Sequence, residues 1–182
     1  KAKEYKRYRY TKSGVSPRSY PMQSKHLVVT DSHEHDESGH ITEDADIRMR
    51  MVQKRMRKVD GILANISGPE LENTGNPSTI VCGWGSTQGV IKEAVEVLRS
   101  RNLRLGILHF SELWPFPATV VTGAIKMAQK LVVVENNATG QLAQLLRQYT
   151  AIQNMDQVLK YNGRPFTVDD LVNELTEIVR EQ

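Results

Sequence analysis

Four stretches carry side chains that could do chemistry. The run Asp31-Ser32-His33-Glu34-His35-Asp36-Glu37-Ser38-Gly39-His40 holds three of the five histidines and four acids. Imidazole and carboxylate are common metal ligands, but a site needs two or more of them converging in fixed geometry. The spacing is not that of HExxH or of a standard zinc motif, so a polar loop contacting another domain is the expected reading. Gly83-Trp84-Gly85-Ser86-Thr87-Gln88-Gly89 invites comparison with a dinucleotide turn. It fails, because the sixth position is Gln88 and Gly89 comes one place late, and no Gly-Lys-Ser/Thr follows to make a phosphate loop. A tight turn with hydroxyl caps is expected, although Ser86 and Thr87 at a helix start could hold an anion. His109 and Glu112 form a possible acid–base pair, without a nucleophile in a known pattern beside it. Cys82 is the single cysteine. It can neither close an internal disulfide nor hold an iron–sulfur cluster alone.

These residues must be positioned by elements whose periodicity is legible. From Thr79 onward, short apolar runs alternate with amphipathic segments. Strands are expected at 79–82, 103–108, 131–134 and 157–160, and helices at 88–101, 118–129, 139–150 and 168–180. Thr167 and Asp170 make an arrangement close to a capping box at the start of the last helix. Solidly apolar strands separated by helices predict an α/β domain with a mostly parallel sheet covered on both faces. Its functional surface is then the edge where the strands' carboxyl ends emerge. That edge would carry 83–87, the run His109 to Pro117 with its rigid, apolar end Trp114-Pro115-Phe116-Pro117, and 135–141, a strand-to-helix turn rich in side-chain caps.

Earlier in the chain, residues 1–25 contain Gly14, Pro17 and Pro21 without sustained period, and read as an extended basic connector. His26 to Thr30 is a β-branched strand candidate. A helix is expected from about Thr42 to Ala64. Its stripe of Ile41, Ala45, Met49, Val52, Met56, Val59 and Leu63 has helical spacing and is expected to pack. Residues 65–77 read as a turn-rich link.

The 182 residues, 39% hydrophobic and 25% charged, suit one domain, or one domain plus an ordered extension. No stretch is long and apolar enough for a membrane helix, and the low cysteine usage predicts a reducing, cytoplasmic location. The opening KAKEYKRYRY has neither Met nor an apolar signal core, so a longer parent protein is expected. The net charge of +3 conceals a segregation by sign. Residues 1–25 carry eight Lys/Arg against one acid, 31–47 seven acids and no Lys/Arg, and 48–60 six Lys/Arg against one acid. A basic, tyrosine-laced arm could bind nucleic acid, but without a recognised binding module a connector lying on a neighbouring domain is preferred, and no nucleic-acid partner is expected.

Taken in order, YKRY…SGVSPR at 5–18, DSHEHDESGHITED at 31–44, GWGST at 83–87, ELWPFP at 112–117, ENNATGQL at 135–142 and NGRPFT at 162–167 resemble the C-terminal part of the alpha subunit of 2-oxoacid:ferredoxin oxidoreductases, most closely the 2-oxoglutarate type. The resemblance implies a transketolase C-terminal-like α/β domain at 26–182, joined by 1–25 to an upstream alpha-subunit domain. It also implies oxidative decarboxylation on thiamine diphosphate with Mg, acyl transfer to coenzyme A, and electrons leaving through iron–sulfur clusters to ferredoxin. The cofactors would reside outside this chain, in the upstream domain and a beta subunit, within a hetero-oligomer. This chain would then have no catalytic, cofactor-binding or metal-binding residue of its own. Gly14, Ser16 and Arg18 become candidates for the substrate entrance. His33, His35 and Glu37, with Trp114 and Phe116, become candidates for interfaces. The chain departs from the family at Tyr20-Pro21-Met22, where Pro-Gly is expected, and at Ser32, where an acid is more usual. The alternative is a stand-alone anion- or nucleotide-binding α/β module using the turn at 83–89.

Overall fold

A computed structural model describes residues 5–22, 24–72, 75, 77–126 and 128–180. The chain forms two compact units, Lys1–Asn65 and Ile66–Gln182.

The second unit is the expected α/β layer structure. Its elements run β1 (Glu70–Glu72), β2 (Thr79–Trp84), α2 (Gln88–Ser100), β3 (Leu105–Phe110), α3 (Ala118–Ile125), β4 (Lys130–Glu135), α4 (Gln141–Tyr149), β5 (Met155–Leu159) and α5 (Val168–Arg180), with a 3-10 turn at Gly85–Thr87 between β2 and α2. The strand order is β1-β3-β2-β4-β5, and β2 to β5 are parallel. Period-2 alternation sends successive side chains to opposite faces. Val81, Ile107, Val132, Val134 and Val158 meet α2 and α5 on one face. Ile80, Cys82, Leu108, Leu131 and Val133 meet α3 and α4 on the other. Because both faces are covered, the centres of β2, β3 and β4 are apolar at successive positions, whereas the edge strand β5 keeps Asp156 and Gln157 in its middle.

The differences from expectation have local causes. The second expected strand moves from 103–108 to Leu105–Phe110. Its parallel pairing begins at Thr79 opposite Leu105, and Asn102, at a φ of 66°, is still turning the chain out of α2. The link at 65–77 contains an unforeseen strand, β1, antiparallel to β3 with Leu71 opposite Leu108. Two of its three residues are acidic, as suits a sheet edge that must not recruit another strand. At α5 the expected box closes reciprocally. Asp170 N–H donates to Thr167 Oγ1 at 3.1 Å, and Thr167 N–H donates to Asp170 Oδ2 at 2.9 Å.

In the first unit, α1 (Ala45–Leu63) is capped by Asp44, whose side chain accepts from Ile47 N–H at 2.8 Å. The arm preceding it is irregular. His26 to Thr30 is not a strand, and Leu27 is 89% exposed. β-branched composition favours a strand only where a neighbour supplies the ladder. The buried face of α1 also differs from the expected stripe. Met49, Val52, Met56 and Leu63 are exposed, whereas Met51 and Lys54 are buried. Met22, one of the family departures, lies in an exposed turn at a φ of 66°, a conformation open at little cost only to glycine. Among the described residues, no helix is long and apolar enough to cross a membrane.

Candidate functional site

The carboxyl edge of the sheet brings together the expected loops after β2, β3 and β4. The order of crossing places β3 on one side of β2 and β4 on the other. A crevice is therefore expected between the ends of β2 and β4, where such sheets bind ligands. That position is filled by the chain itself. Glu135, the last residue of β4, is fully buried. Its Oε2 accepts from Leu142 N–H at 2.9 Å and its Oε1 from Ala143 N–H at 3.1 Å, at the start of α4. Oε2 also takes Trp84 Nε1–H from the end of β2 at 3.1 Å and Asn137 Nδ2 at 2.8 Å. A helix N-terminus with free N–H groups is a ready anion site, and here a protein carboxyl group already occupies it. Asn137 Oδ1 completes the cap by accepting from Thr139 and Gly140 N–H, at 3.0 and 2.7 Å. The residues from Glu135 to Gln141 read in the sequence as a strand-to-helix turn rich in side-chain caps, and these bonds bear that out, although periodicity does not mark Glu135 as the buried group. The available signal was an acid ending an otherwise apolar strand, a few residues ahead of a helix.

In the 83–89 turn one of the two hydroxyls is turned inward. Thr87 is buried, and its hydroxyl donates to Trp84 C=O at 2.9 Å. Neither it nor Ser86 caps α2, contrary to expectation. Gly83 is dictated by packing, since a Cβ there would collide with Ile91 Cδ1 and Thr87 Oγ1.

His109 and Glu112 make separate contacts. Glu112 Oε2 accepts from Ser67 N–H at 3.2 Å. His109 lines an open cleft of about 700 Å³ with Ser67, Glu70, Gln88 and Ser111. Its Nδ1 is buried without a hydrogen-bond partner. Burial, with the nearby charge of Lys92, lowers its pKa, against an opposing pull from Glu72. Trp114 and Phe116 part company. Trp114 is 67% exposed, while Phe116 is buried in the unit's own core, stacked on Tyr149 and Phe110. Cys82 is wholly buried, and burial pushes its thiol well above the ordinary range, so it is no nucleophile.

The first unit gathers the other expected residues around the arm. Gly14 passes so close to α1 that a Cβ would strike the backbone carbonyl of Lys54, and its φ of 78° is one that glycine tolerates. Ser16 Oγ donates to Arg9 C=O at 2.9 Å, folding the arm back on itself. Lys54 Nζ donates to Tyr8 C=O at 2.6 Å. Tyr8 stacks on His35, ring centroids 4.8 Å apart. Glu37 binds the arm twice, accepting at its backbone carbonyl from Tyr8 N–H and at Oε1 from Tyr10 N–H. His33 stays exposed, its Nδ1 3.1 Å from Asp31. Glu34, between Arg48 and Arg55, is held at a pKa of about 2, chiefly by its hydrogen bonds from Arg55. The acidic loop is thus the clasp that fixes the arm and α1 together.

Residues 78–171 match the family model for pyruvate:ferredoxin oxidoreductase core domain II, just over half of the chain. The chain belongs to this family. Relatives extend the likeness across the arm and α1. The alpha subunit of 2-oxoacid:ferredoxin oxidoreductase 2 from Aeropyrum pernix is 36% identical over 98% of this chain. The alpha subunit of 2-oxoacid:ferredoxin oxidoreductase 1 from Sulfurisphaera tokodaii is 31% identical over 97% of it. The chain spans 28% of the length of each of these relatives. A solved structure of 2-oxoglutarate:ferredoxin oxidoreductase from Magnetococcus marinus, with 2-oxoglutarate, coenzyme A and succinyl-CoA bound, superposes on 95% of this chain and 30% of its own, with a TM-score of 0.75 and 29% identity. Four of the strings that carry the resemblance, GWGST, ELWPFP, ENNATGQL and NGRPFT, follow the carboxyl ends of strands, where Ser86, Asn136, Lys160 and Arg164 line an open cleft of about 420 Å³.

Proposed function

We propose that this chain is the assembly portion of the alpha subunit of a thiamine-dependent 2-oxoacid:ferredoxin oxidoreductase. The complete enzyme would decarboxylate its substrate, 2-oxoglutarate by preference, to an acyl-CoA and pass electrons to ferredoxin. The observation that carries this reading is the likeness to alpha subunits of 2-oxoacid:ferredoxin oxidoreductases over 97–98% of the chain, and the Glu135 cap agrees with an assembly role. The place where an α/β sheet of this order would take a cofactor phosphate is occupied by the chain's own carboxyl group, and the Thr87 hydroxyl of the adjacent turn is spent on Trp84 C=O. The α4 N-terminus is therefore already taken, and no step of the reaction is assigned to the residues of this edge. Thiamine diphosphate, Mg and the iron–sulfur clusters belong, on this reading, to an upstream alpha-subunit domain and a beta subunit in a cytoplasmic hetero-oligomer. Gly14, Ser16 and Arg18 stand near the substrate entrance, and exposed Trp114 reaches a neighbouring subunit.

The test is reconstitution. The isolated 182-residue chain should give no oxoacid-dependent reduction of a viologen dye, and adding the remainder of the alpha subunit with the beta subunit should restore it, faster with 2-oxoglutarate than with pyruvate. Turnover by the isolated chain would overturn the assignment, and a preference for pyruvate would overturn only the substrate.

A further inference from the structure

The first unit contains a cleft of about 330 Å³ between the arm and α1. Its lining includes Arg7, Arg18, Lys54, Arg55 and Lys58, and no acid. Arg55 is engaged with Glu34 at 2.8–2.9 Å. Among the described residues, Arg18 and Lys58 have no carboxylate partner. Lys54 is only 4% exposed and spends one of its three N–H donors, on Tyr8 C=O. A buried ammonium ordinarily has a counter-charge or a full set of acceptors. Here its surroundings are mostly cationic. Burial first, then the charges of Lys58, Arg7 and Arg55, bring its pKa down to about 8, with only Glu37 opposing. Met51 and Val15 add an apolar wall. Arginine forks and lysine ammonium groups converging on a compact space match the tetrahedral oxygens of phosphate.

We propose that this arm–helix cleft is a binding site for a small phosphate-bearing anion, gripped by Arg18 and Lys58 at its mouth and by Lys54 at its base. The site concerns the first unit alone and stands whether or not the enzyme reading does. It is distinct from the turn at 83–89.

The experiment is calorimetric titration of the whole chain at low ionic strength with inorganic pyrophosphate and, separately, with ADP. Saturable one-to-one binding of either probe is expected. Binding by pyrophosphate alone identifies the inorganic anion, and tighter binding of ADP identifies an organic phosphate whose body lies on the Met51 wall. Arg18→Ala and Lys58→Ala should each weaken binding about ten-fold or more, the cost of one charge-assisted contact. Lys12→Ala removes an exposed cation of the same arm outside the cleft, and should change affinity less than about two-fold if local geometry rather than net charge decides. In the unaltered chain, pyrophosphate should slow acylation of Lys58 but not of Lys12, a readout independent of any variant's folding. Absence of saturable binding, an equal loss in Lys12→Ala, or succinate binding as tightly as pyrophosphate would overturn the proposal.

Discussion

Glu135 shows how far one side chain can decide what a fold is able to bind. Its carboxyl group satisfies two α4 N–H groups, an indole and an amide in a fully buried position. Glu135→Ala leaves these donors unpaired, and each buried unsatisfied group costs on the order of 1–3 kcal/mol. The expected loss is about 3–5 kcal/mol in all, which at ~2–4 °C per kcal/mol lowers Tm by roughly 6 °C or more. Thermal unfolding followed by circular dichroism checks it, and a Tm within about 2 °C of wild type would show the cap to be dispensable. At this scale the sequence was an uneven guide. The Thr167–Asp170 cap was legible because both partners lie three residues apart. The turn at 135–141 was legible as a strand-to-helix turn rich in side-chain caps, but the reach of Glu135 was not, because its partners come from β2 and α4 and the sequence does not say which strand end faces which helix start.

Among the elements, the central parallel strands β2, β3 and β4 were legible because burial on both faces writes an apolar run. β1 was not, because three residues with two acids carry no periodic signal, and its pairing is imposed by the exposed flank of β3. The face of α1 was misread for a related reason. Apolar spacing selected Met49, Val52 and Met56, but the partner of this helix is a polar arm. The residues that face it are Met51, which fills space, and Lys54, whose ammonium meets a carbonyl. The two methionine positions therefore predict different outcomes. Met51→Ala should destabilise α1 by about 2–5 kcal/mol, and Met56→Ala by less than ~0.5 kcal/mol. Hydrogen exchange of the α1 amides distinguishes them, and equal loss of protection in the two variants would return the helix's packing to the stripe.

On the scale of the whole chain, the division at residue 65 separates two kinds of stabilisation. The second unit holds the entire sheet and both apolar clusters. The first is fastened by charge and hydrogen bonds, with Glu34, Glu37 and Lys54 at the junctions. Residues 66–182 expressed alone should thus fold cooperatively, giving a single melting transition and a dispersed amide NMR spectrum. A collapsed, poorly dispersed spectrum would mean that the sheet needs the first unit. The charge segregation was visible in the sequence, but not its use. Basic 1–25 and 48–60 flank an acidic segment that binds both to itself, and only the folded arm reveals that arrangement.

Cys82 lies at the centre of the sheet, sealed on both sides and chemically silent. Since it is the chain's single thiol, the native surface is a blank field for sulfur chemistry. A cysteine written anywhere on that surface, at Trp114 or beside the arm–helix cleft, would be the one position a maleimide dye or crosslinker reaches. The assembly reading can therefore be tested label by label, with no background mutation in the core.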